Sequence, residues 1–525
     1  MATYGEVLED VQLFKLNTAI ETFLDGYAKN KGTPEQRTFI FFPGGMGSEL
    51  VRAGTAFDPL LGASQYNYDT LWVDFFKLLL ETEALKLQMN GNQDSENRFI
   101  VSDGPLKYCG KDIYGGLVTW CKANNLDLLM VGWDFRRSAT WNVHFFLKTL
   151  IPAVQARATT RRLGDVFQNT YLVGHSFGGM LVKWILNQNT EAFVQNLKMA
   201  ITVASPFYGS AGQVERLLVS MSPLDPPHYD LDAITKTIAT LPGPYALFFL
   251  DKKTYATYGN QLKADNEFPL TDYPCIDKSD PNLHVDPYEP PAPNSYNANL
   301  YRYPIKGQNA GNDWTTWFGD YLHQGLLDCQ ALALPLTASL TGKLHNIRAA
   351  RTSKGAIVND TKVGFAWDWY DVTKPRMPQA SGVVGMTGGA GDGVVPAWSA
   401  RLVTQDAGHI HTIRGDKDGT HGTPDLEHMT LMDYPAVRLK LLDLIRPGTE
   451  QVVVDIPTLR PASVTDYTTT LDQLAAFGLL PPPQAEERIR AFVNGMPMAQ
   501  RQALMLRWII EMPKGSLPIE PPRGR

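Results

Sequence analysis

The stretch TYLVGHSFGGM, from Thr170 to Met180, places Gly174, Ser176 and Gly178 at alternate positions. The apolar residues before it predict a buried strand, and apolar residues at helical spacing follow it up to Asn189. A G-x-S-x-G pattern between a strand and a helix is typical of a sharp turn that exposes a nucleophilic serine. The two glycines let the backbones of strand and helix approach each other. Ser176 is therefore a candidate nucleophile, and the alternative interpretation is a glycine-rich structural turn.

Elements of the same two kinds alternate on both sides of this stretch. Other short apolar runs predict further buried strands, and apolar residues at helical spacing predict a helix between two of them. The predicted strands are RTFIFFPGGMG (37–47), LDLLMVGWDF (126–135) and KMAITVASP (198–206), and the predicted helix is YGGLVTWCKANN (114–125). Continuous apolar strands that alternate with helices predict an α/β fold with a largely parallel sheet covered on both faces.

The pattern divides the chain into four parts. We expect residues 1–210 to form the first part of the α/β core and residues 381–447 to form its second part. Residues 211–380, rich in Pro, Tyr, Asn and Asp, predict a large inserted cap with long loops. Residues 448–525 contain helical patterns separated by proline clusters and predict a small, mostly helical appendix.

Composition excludes several classes of protein. Among 525 residues, 44% are hydrophobic and 19% are charged, which is typical of a globular chain, and the net charge of −6 comes without a basic block that would favour nucleic acid. We see neither a secretory signal nor an apolar run long enough to span a bilayer, so we expect a cytoplasmic protein, with export by another route left open. The four cysteines form no CxxC pair and are expected to be reduced.

A glycine-rich loop could supply the donors that an oxyanion needs. It follows the first predicted strand, in FFPGGMGSEL (41–50). In a turn of this kind one donor is the N–H of the residue after the serine, here Phe177, and the second comes from the loop after an earlier strand. We predict Gly45 as that second donor, with Met46 as the alternative. A phosphate-binding loop is excluded because Gly-Lys-Ser/Thr is missing.

The acid and the base should follow the serine in the sequence. GAGDGVVP (389–396) places Asp392 on a glycine-flanked loop, although an Asp-Gly turn is also common in purely structural loops. The competing acids are Asp360, Asp368 and Asp371.

Four histidines are candidates for the base. His428 lies where a loop meets an amphipathic helix and is preferred, and His421 in the preceding loop is the second choice. His409 and His411 alternate along a predicted strand, where they could form a metal pair, but partly exposed strand histidines are the preferred interpretation.

In combination these segments resemble the lecithin:cholesterol acyltransferase-like branch of the α/β-hydrolases, which includes phospholipases and acyltransferases. The segments that carry the resemblance are FPGGMGSEL (42–50), VGWDFRRS (131–138), GHSFGG (174–179), ASPFYGS (204–210), GDGVVPAWS (391–399) and EHMTLM (427–432). The resemblance supports Ser176, Asp392 and His428 as a catalytic triad. It implies an α/β-hydrolase sheet, substrates with long acyl chains and a cap that controls access to the site.

The expected activity is cleavage of carboxylic esters through an acyl-enzyme, with water as the default acceptor and transfer to an alcohol as a variant. We expect no cofactor and no metal, a lipid or other ester substrate, and contact with membranes only at their surface. The oligomeric state is left open. Two alternatives stay open: an esterase or amidase that acts on non-lipid substrates, and a non-catalytic binding protein with a hydrolase fold.

Overall fold

The computed structural model describes most of the chain up to residue 448. The described residues are 2–33, 36–72, 85, 87, 93–94, 98–108, 111–211, 241–263, 265–270, 272–277, 282, 284, 286, 313–367, 383–385, 388–419 and 425–448. The predicted C-terminal appendix, 448–525, lies outside this part except for its first residue, and so does most of the segment 211–312.

Seventeen strands are present in the described part of the chain. They are β1 Thr38–Phe42, β2 Ser48–Ala53, β3 Tyr68–Trp72, β4 Ile100–Pro105, β5 Lys107–Tyr108, β6 Lys111–Asp112, β7 Asp127–Met130, β8 Thr170–His175, β9 Met199–Val203, β10 Cys275–Asp277, β11 Leu344–Ser353, β12 Ala356–Ile357, β13 Thr361–Lys362, β14 Phe365–Trp367, β15 Val383–Gly385, β16 Gly388–Gly389 and β17 Ile410–Asp416.

The helices of the described residues surround these strands. The α-helices are Tyr4–Lys15, Asn17–Asn30, Gly115–Ala123, Ala139–His144, Ile151–Thr160, Phe177–Leu186, Ala192–Asn196, Lys252–Lys263, Asp313–Ala333, Ala338–Thr341 and Pro435–Ile445. A π-helical segment spans Phe145–Leu150, and short 3-10 helices span Ala63–Gln65, Gly243–Leu247, Ala407–His409 and His428–Asp433.

The central sheet is mostly parallel. Its order across the described strands is β7-β1-β8-β9-β11-β17, and every pair in this order is parallel. The hairpin strand β12 adds a short antiparallel pair to β11. The chain runs from β1 outward to β7 and then returns to β8 on the other side of β1. The loops after β1 and β8 therefore meet at a topological switch point, where open α/β sheets bind ligands.

Each face of the central sheet packs against helices through its own apolar core. Successive residues of the strands contribute to one core and then to the other. On one face, Ile40 and Phe42 pack with helices Asn17–Asn30 and Phe177–Leu186. On the other face, Phe39 and Phe41 pack with helices Gly115–Ala123 and Pro435–Ile445. Successive side chains of a strand point to opposite faces, so a continuous apolar strand must be covered twice. The predicted α/β architecture is confirmed at this level.

Two strands of the central sheet, β11 and β12, fall inside the range that the sequence assigns to the cap. β11, with ten residues, pairs with β9 through Leu344–Ile347 and with β17 through Asn346–Thr352. The expected cap, 211–380, therefore includes part of the central sheet, namely the short β12 and the longer β11. The polar side chains of β11, including Arg348 and Arg351, find long-range ion-pair partners that a local pattern does not reveal.

The aromatic segment before helix Lys252–Lys263 belongs to the core. Tyr245, Phe248, Phe249 and Leu250 are each about 1% exposed and pack in the larger apolar core. These residues therefore do not form an exposed apolar surface.

Candidate active site

The turn after β8 brings Ser176 to the carboxyl edge of the sheet. Ser176 has φ 54° and ψ −126°, outside the regions that most residues occupy, and its N–H donates to the carbonyl of Val203 at 2.8 Å. A Cβ on Gly174 would lie 2.3 Å from the carbonyl oxygen of Gly178, and one on Gly178 would lie 2.3 Å from that of Pro43. The predicted need for glycine at both positions is confirmed, since any side chain would separate strand, helix and loop.

Three of the predicted site residues lie in one hydrogen-bonded chain. The Nε2 atom of His428 is 2.7 Å from Oγ of Ser176, and its Nδ1 atom is 2.6 Å from Oδ2 of Asp392. His428 and Asp392 are buried, whereas Ser176 is partly accessible. An imidazole with a carboxylate on one nitrogen and a hydroxyl on the other can take the hydroxyl proton and hold the positive charge that results.

The loop that carries Asp392 orients its carboxylate. Oδ1 of Asp392 accepts hydrogen bonds from the N–H groups of Val394 at 3.0 Å and Val395 at 2.7 Å. The other oxygen is then free to face His428, whose backbone N–H also donates to the carbonyl of Asp392 at 3.1 Å. Gly393 permits this turn because its φ of 91° lies in the left-handed region.

The loop after β1 lies beside the residue that follows Ser176. Gly47 N–H donates to the carbonyl of Gly44 at 2.9 Å, which closes a turn with Gly45 and Met46 at its centre. A Cβ on Gly45 would come within 2.9 Å of the ring of Phe177. Within the described residues, the backbone N–H groups of Gly45, Met46 and Phe177 donate to no acceptor. All three donors proposed from the sequence are therefore available near the serine, and the geometry does not choose between Gly45 and Met46.

The competing acids and bases lie elsewhere or outside the described residues. Asp360 forms ion pairs with Arg351 and Lys417, while residues 368, 371 and 421 are not among those the structure describes.

The two alternating histidines take part in a separate cluster. His411 Nε2 is 3.1 Å from Nδ1 of His345, and the ring of His409 lies 4.3 Å from that of His345. Burial and the neighbouring His409 lower the pKa of His345 to about 4. In the described part of the chain, no group of three or more His, Cys, Asp or Glu side chains is arranged to hold a metal ion.

Two contacts around the site were not predicted from the sequence. Arg351 of β11 pairs with Asp425 at 3.0 Å and Glu427 at 3.7 Å, and its N–H donates to the carbonyl of Gly391. It thereby connects the loop that carries the histidine to the loop that carries the aspartate. The second is Tyr114, whose hydroxyl lies between the glycine loop and His175. Little in the sequence indicates either role. Arg351 lies in a strand with many polar residues, and Tyr114 is marked only by its position before a helix.

Within the described residues, no helix is both long enough and apolar enough to cross a bilayer. Cys121, Cys275 and Cys329 are buried free thiols, which agrees with the reduced state expected for them, and Cys109 lies outside the described residues.

Comparisons with known proteins identify no family for this chain. No protein-family model matches it, and no curated protein matches it in sequence. Among solved structures, one chain of the crystal structure of the Tle4–Tli4 complex matches with a TM-score of 0.46 and 13% sequence identity. The match covers 79% of this chain and 99% of that chain. A TM-score this low does not indicate an activity. The resemblance to the lecithin:cholesterol acyltransferase-like branch rests only on the sequence segments quoted above.

Proposed function

We propose that the protein is a serine hydrolase that cleaves carboxylic esters, lipid esters in particular, through an acyl-enzyme on Ser176. The observation that supports this proposal most is the chain of hydrogen bonds from Ser176 through His428 to Asp392, at 2.7 and 2.6 Å. The position of Ser176 also supports the proposal, because it lies at the switch point of the sheet beside the glycine loop, where N–H groups donate to no acceptor within the described residues.

The first half of the proposed reaction forms the acyl-enzyme. His428 Nε2 removes the proton from Ser176 Oγ as this oxygen attacks the ester carbonyl, and Asp392 stabilises the resulting imidazolium. The N–H groups of Phe177 and Gly45, with Met46 as the alternative to Gly45, hold the oxyanion. Each such donor stabilises the transition state by about 3 kcal/mol. His428 then gives its proton to the departing alcohol.

The second half releases the acyl group. Water, activated by His428 in the same way, attacks the acyl-enzyme and yields a carboxylic acid with Ser176 restored. An acceptor alcohol in place of water would make the same chemistry an acyl transfer. Hydrolysis is the simpler proposal because water requires no dedicated binding site.

The proposal is tested by comparing hydrolysis of a soluble nitrophenyl ester by the wild type and by Ser176→Ala. We expect the variant to lose at least 10³-fold in kcat while it keeps its fold, because removal of a triad member leaves only the oxyanion donors. Ser205→Ala is the matched control, since Ser205 is also buried near the turn and its hydroxyl has no partner in the described residues. Equal activity of Ser176→Ala and the wild type would contradict the proposal.

The lipid preference is a separate part of the proposal and rests on the sequence resemblance. A series of nitrophenyl esters from acetyl to palmitoyl should show rates that rise with chain length. A jump in activity above the critical micelle concentration would support action at a lipid surface. A sharp preference for acetyl would instead favour a non-lipid esterase or amidase. A lipid-product profile with wild type and Ser176→Ala would then identify the head group and show whether an alcohol accepts the acyl group.

A further inference from the structure

The hydroxyl of Tyr114 joins two parts of the candidate site that are distant in sequence. It accepts a hydrogen bond from the N–H of Gly44 at 2.9 Å and lies 3.1 Å from Nδ1 of His175. Tyr114 is 4% exposed and packs edge-on against Phe41 of β1, with ring centroids 5.1 Å apart. A buried phenol with such a packed ring has little freedom, so its oxygen is a fixed point for both partners.

His175 is the last residue of β8 and directly precedes Ser176. Its ring lies 4.8 Å from the ring of His428, with 35° between the two planes. Burial, reinforced by the neighbouring His428, lowers the pKa of His175 well below its ordinary value. The neutral form of His175 is therefore favoured, and its ring packs against the imidazole that is proposed to act as the base.

A hydrogen bond from the Tyr114 hydroxyl to Nδ1 of His175 would fix the tautomer of His175. An amide N–H can only donate, so the Tyr114 oxygen is the acceptor toward Gly44. The hydroxyl proton is then available to Nδ1 of His175, which must be unprotonated to accept it. A neutral imidazole has one N–H, and when Nδ1 accepts the Tyr114 proton that N–H lies on Nε2.

The hydrogen bond between Gly44 and Tyr114 also constrains the glycine loop. Gly44 begins the turn that holds Gly45 and Met46, and a Cβ on Gly44 would lie 3.1 Å from that of Ser176. Tyr114 accepts the N–H of Gly44, and within the described residues the N–H groups of Gly45 and Met46, next in the turn, donate to no acceptor. A shift of this turn by a fraction of an ångström would move those donors relative to Ser176.

We propose that Tyr114 is a positioning residue, whose hydroxyl fixes the glycine loop and, through His175, the ring of His428. The inference rests on the proposed function of Ser176 and His428 and adds a residue to it. Tyr114 does not touch the reacting atoms. It acts on both the oxyanion donors and the base, so its removal should slow the chemical steps and leave ester binding unchanged.

The kinetic test uses Tyr114→Phe, which removes one oxygen and keeps the packed ring. We expect kcat on a soluble ester to fall on the order of tenfold with KM unchanged, as for a small misplacement of catalytic groups. Tyr171→Phe is the matched control, because Tyr171 is also buried, lies on β8 and donates a single hydrogen bond to the carbonyl of Ile445. We expect the control to keep the wild-type kcat.

A second readout does not depend on activity. Nitrogen-15 NMR of the histidine rings, with the His175 signals assigned by their loss in His175→Asn, should show the Nε2–H tautomer in the wild type. In Tyr114→Phe the His175 signals should change tautomer or become a mixture, and the His428 ring signals should shift. Tyr171→Phe should leave both sets of signals in place.

The two readouts separate failure of this inference from failure of the proposed function. A Tyr114→Phe variant with wild-type kcat, or a wild type whose His175 carries its proton on Nδ1, would overturn the positioning role. Loss of kcat in Tyr114→Phe together with the tautomer change would support it. If Ser176→Ala retained full activity, the proposed function would fail, whereas the NMR result would still decide whether Tyr114 orients His175.

Discussion

At the scale of single residues, the site combines backbone strain with hydrogen bonds. Ser176, with φ 54°, occupies a conformation that costs a non-glycine residue on the order of 1–3 kcal/mol. The surrounding contacts hold it there, with its N–H bonded to Val203 and its Oγ bonded to His428. Strain of this kind at the carboxyl edge of a parallel sheet supports the proposed role of Ser176.

The carboxylate of Asp392 is expected to act on the reaction through His428. In Asp392→Asn the amide would retain the backbone contacts of the loop but would lose the charge and favour the wrong tautomer of His428. We expect kcat on a soluble ester to fall by roughly 10⁴-fold with the fold retained. Asp443→Asn, which replaces an exposed carboxylate paired with Lys440, is the control and should keep kcat near that of the wild type.

The glycine loop should tolerate no side chain beside Phe177. In Gly45→Ala the new methyl group would meet the ring of Phe177 at 2.9 Å and would push the loop away from Ser176. We expect kcat to fall on the order of 10²-fold, as when one oxyanion donor is lost, with little change in stability. Gly62→Ala, where the new Cβ approaches only the end of Gln65 at 3.7 Å, is the control. Wild-type kcat in Gly45→Ala would show that this loop does not hold the oxyanion.

At the scale of elements, the helix that follows Ser176 contains an unusual buried charge. Lys183 is fully buried, and its Nζ donates to Oδ1 of Asn187 at 2.6 Å and to the carbonyl of Leu334 at 2.9 Å. Burial lowers the pKa of the Lys183 ammonium to about 7. The hydrogen bond to Leu334 connects the helix to the segment that follows helix Asp313–Ala333. The two hydrogen bonds offset only part of the free energy that burial of the ammonium charge costs.

Lys183 makes the stability of the protein depend on pH in a defined direction. Its folded-state pKa of about 7 is below the unfolded value of roughly 10.4, so the unfolded chain binds more protons between these limits. The free energy of unfolding should therefore rise from pH 7 to pH 10 in the wild type relative to Lys183→Met, by a few kcal/mol.

Urea unfolding at several pH values measures this difference. Lys148→Met, at an exposed lysine paired with Glu191, is the control and should show little change relative to the wild type over this range. A difference between wild type and Lys183→Met that stays constant with pH would contradict the prediction.

The sequence predicted some elements much better than others. β1, β7, β8 and β9 are continuous apolar runs, and their position in a buried parallel sheet follows from that pattern. β11 was missed because it contains His345, Asn346, Arg348 and Arg351, whose partners are distant in sequence. Asn346 bonds to Thr202 and Arg348 to Asp265. These buried polar groups have hydrogen-bond partners only in the folded chain, so a local sequence pattern does not show that they can be buried.

The candidate site also combines residues that local patterns predict with residues whose contacts are distant in sequence. Ser176, Asp392 and His428 lie in short segments with glycine or helix signals, so a sequence can indicate them together with their order. Tyr114 and Arg351 act through contacts between segments that are far apart along the chain, and no local spacing encodes such contacts. The roles of all these residues stay predictions until activity is measured.

At the scale of the whole molecule, a buried ionic network connects the N-terminal helix to the segment after β7. Arg136 bonds to Asp134 at 2.6 Å and to Asp94 at 2.9 Å, and Arg137 bonds to the same two carboxylates. The hydroxyl of Tyr4 donates to Asp94 at 2.8 Å. Both arginines and both aspartates are at most 1% exposed, so their charges depend on one another.

Removal of one member of this network should destabilise the whole fold. Arg136→Met would remove one positive charge from beside the two buried negative charges of Asp134 and Asp94 and would leave that of Arg137 in place. We expect the free energy of unfolding to fall by about 3–5 kcal/mol. Arg161→Met is the control, because Arg161 pairs with Glu21 and Asp25 at the surface and should cost less than about 1 kcal/mol. Urea unfolding of the two variants measures both values, and equal small losses would contradict this role of the network.

The network also lies close to the candidate site. Trp133 directly precedes Asp134, and its indole N–H donates to the carbonyl of Pro43 at 2.9 Å. Its ring packs edge-on against Phe177, with centroids 4.9 Å apart. The segment after β7 thus supports both the glycine loop and the residue after Ser176, which connects the stability of the whole molecule to the geometry of the site.

The central claim, that Ser176 is a nucleophile activated by His428, is tested most directly by covalent labelling. The intact mass of folded protein should increase by one adduct after reaction with a fluorophosphonate, and peptide mapping should place that adduct on Ser176. His428→Gln should label at least 10²-fold more slowly, because the serine then has no base. Absence of an adduct on folded wild type, or an adduct on another residue, would contradict the claim.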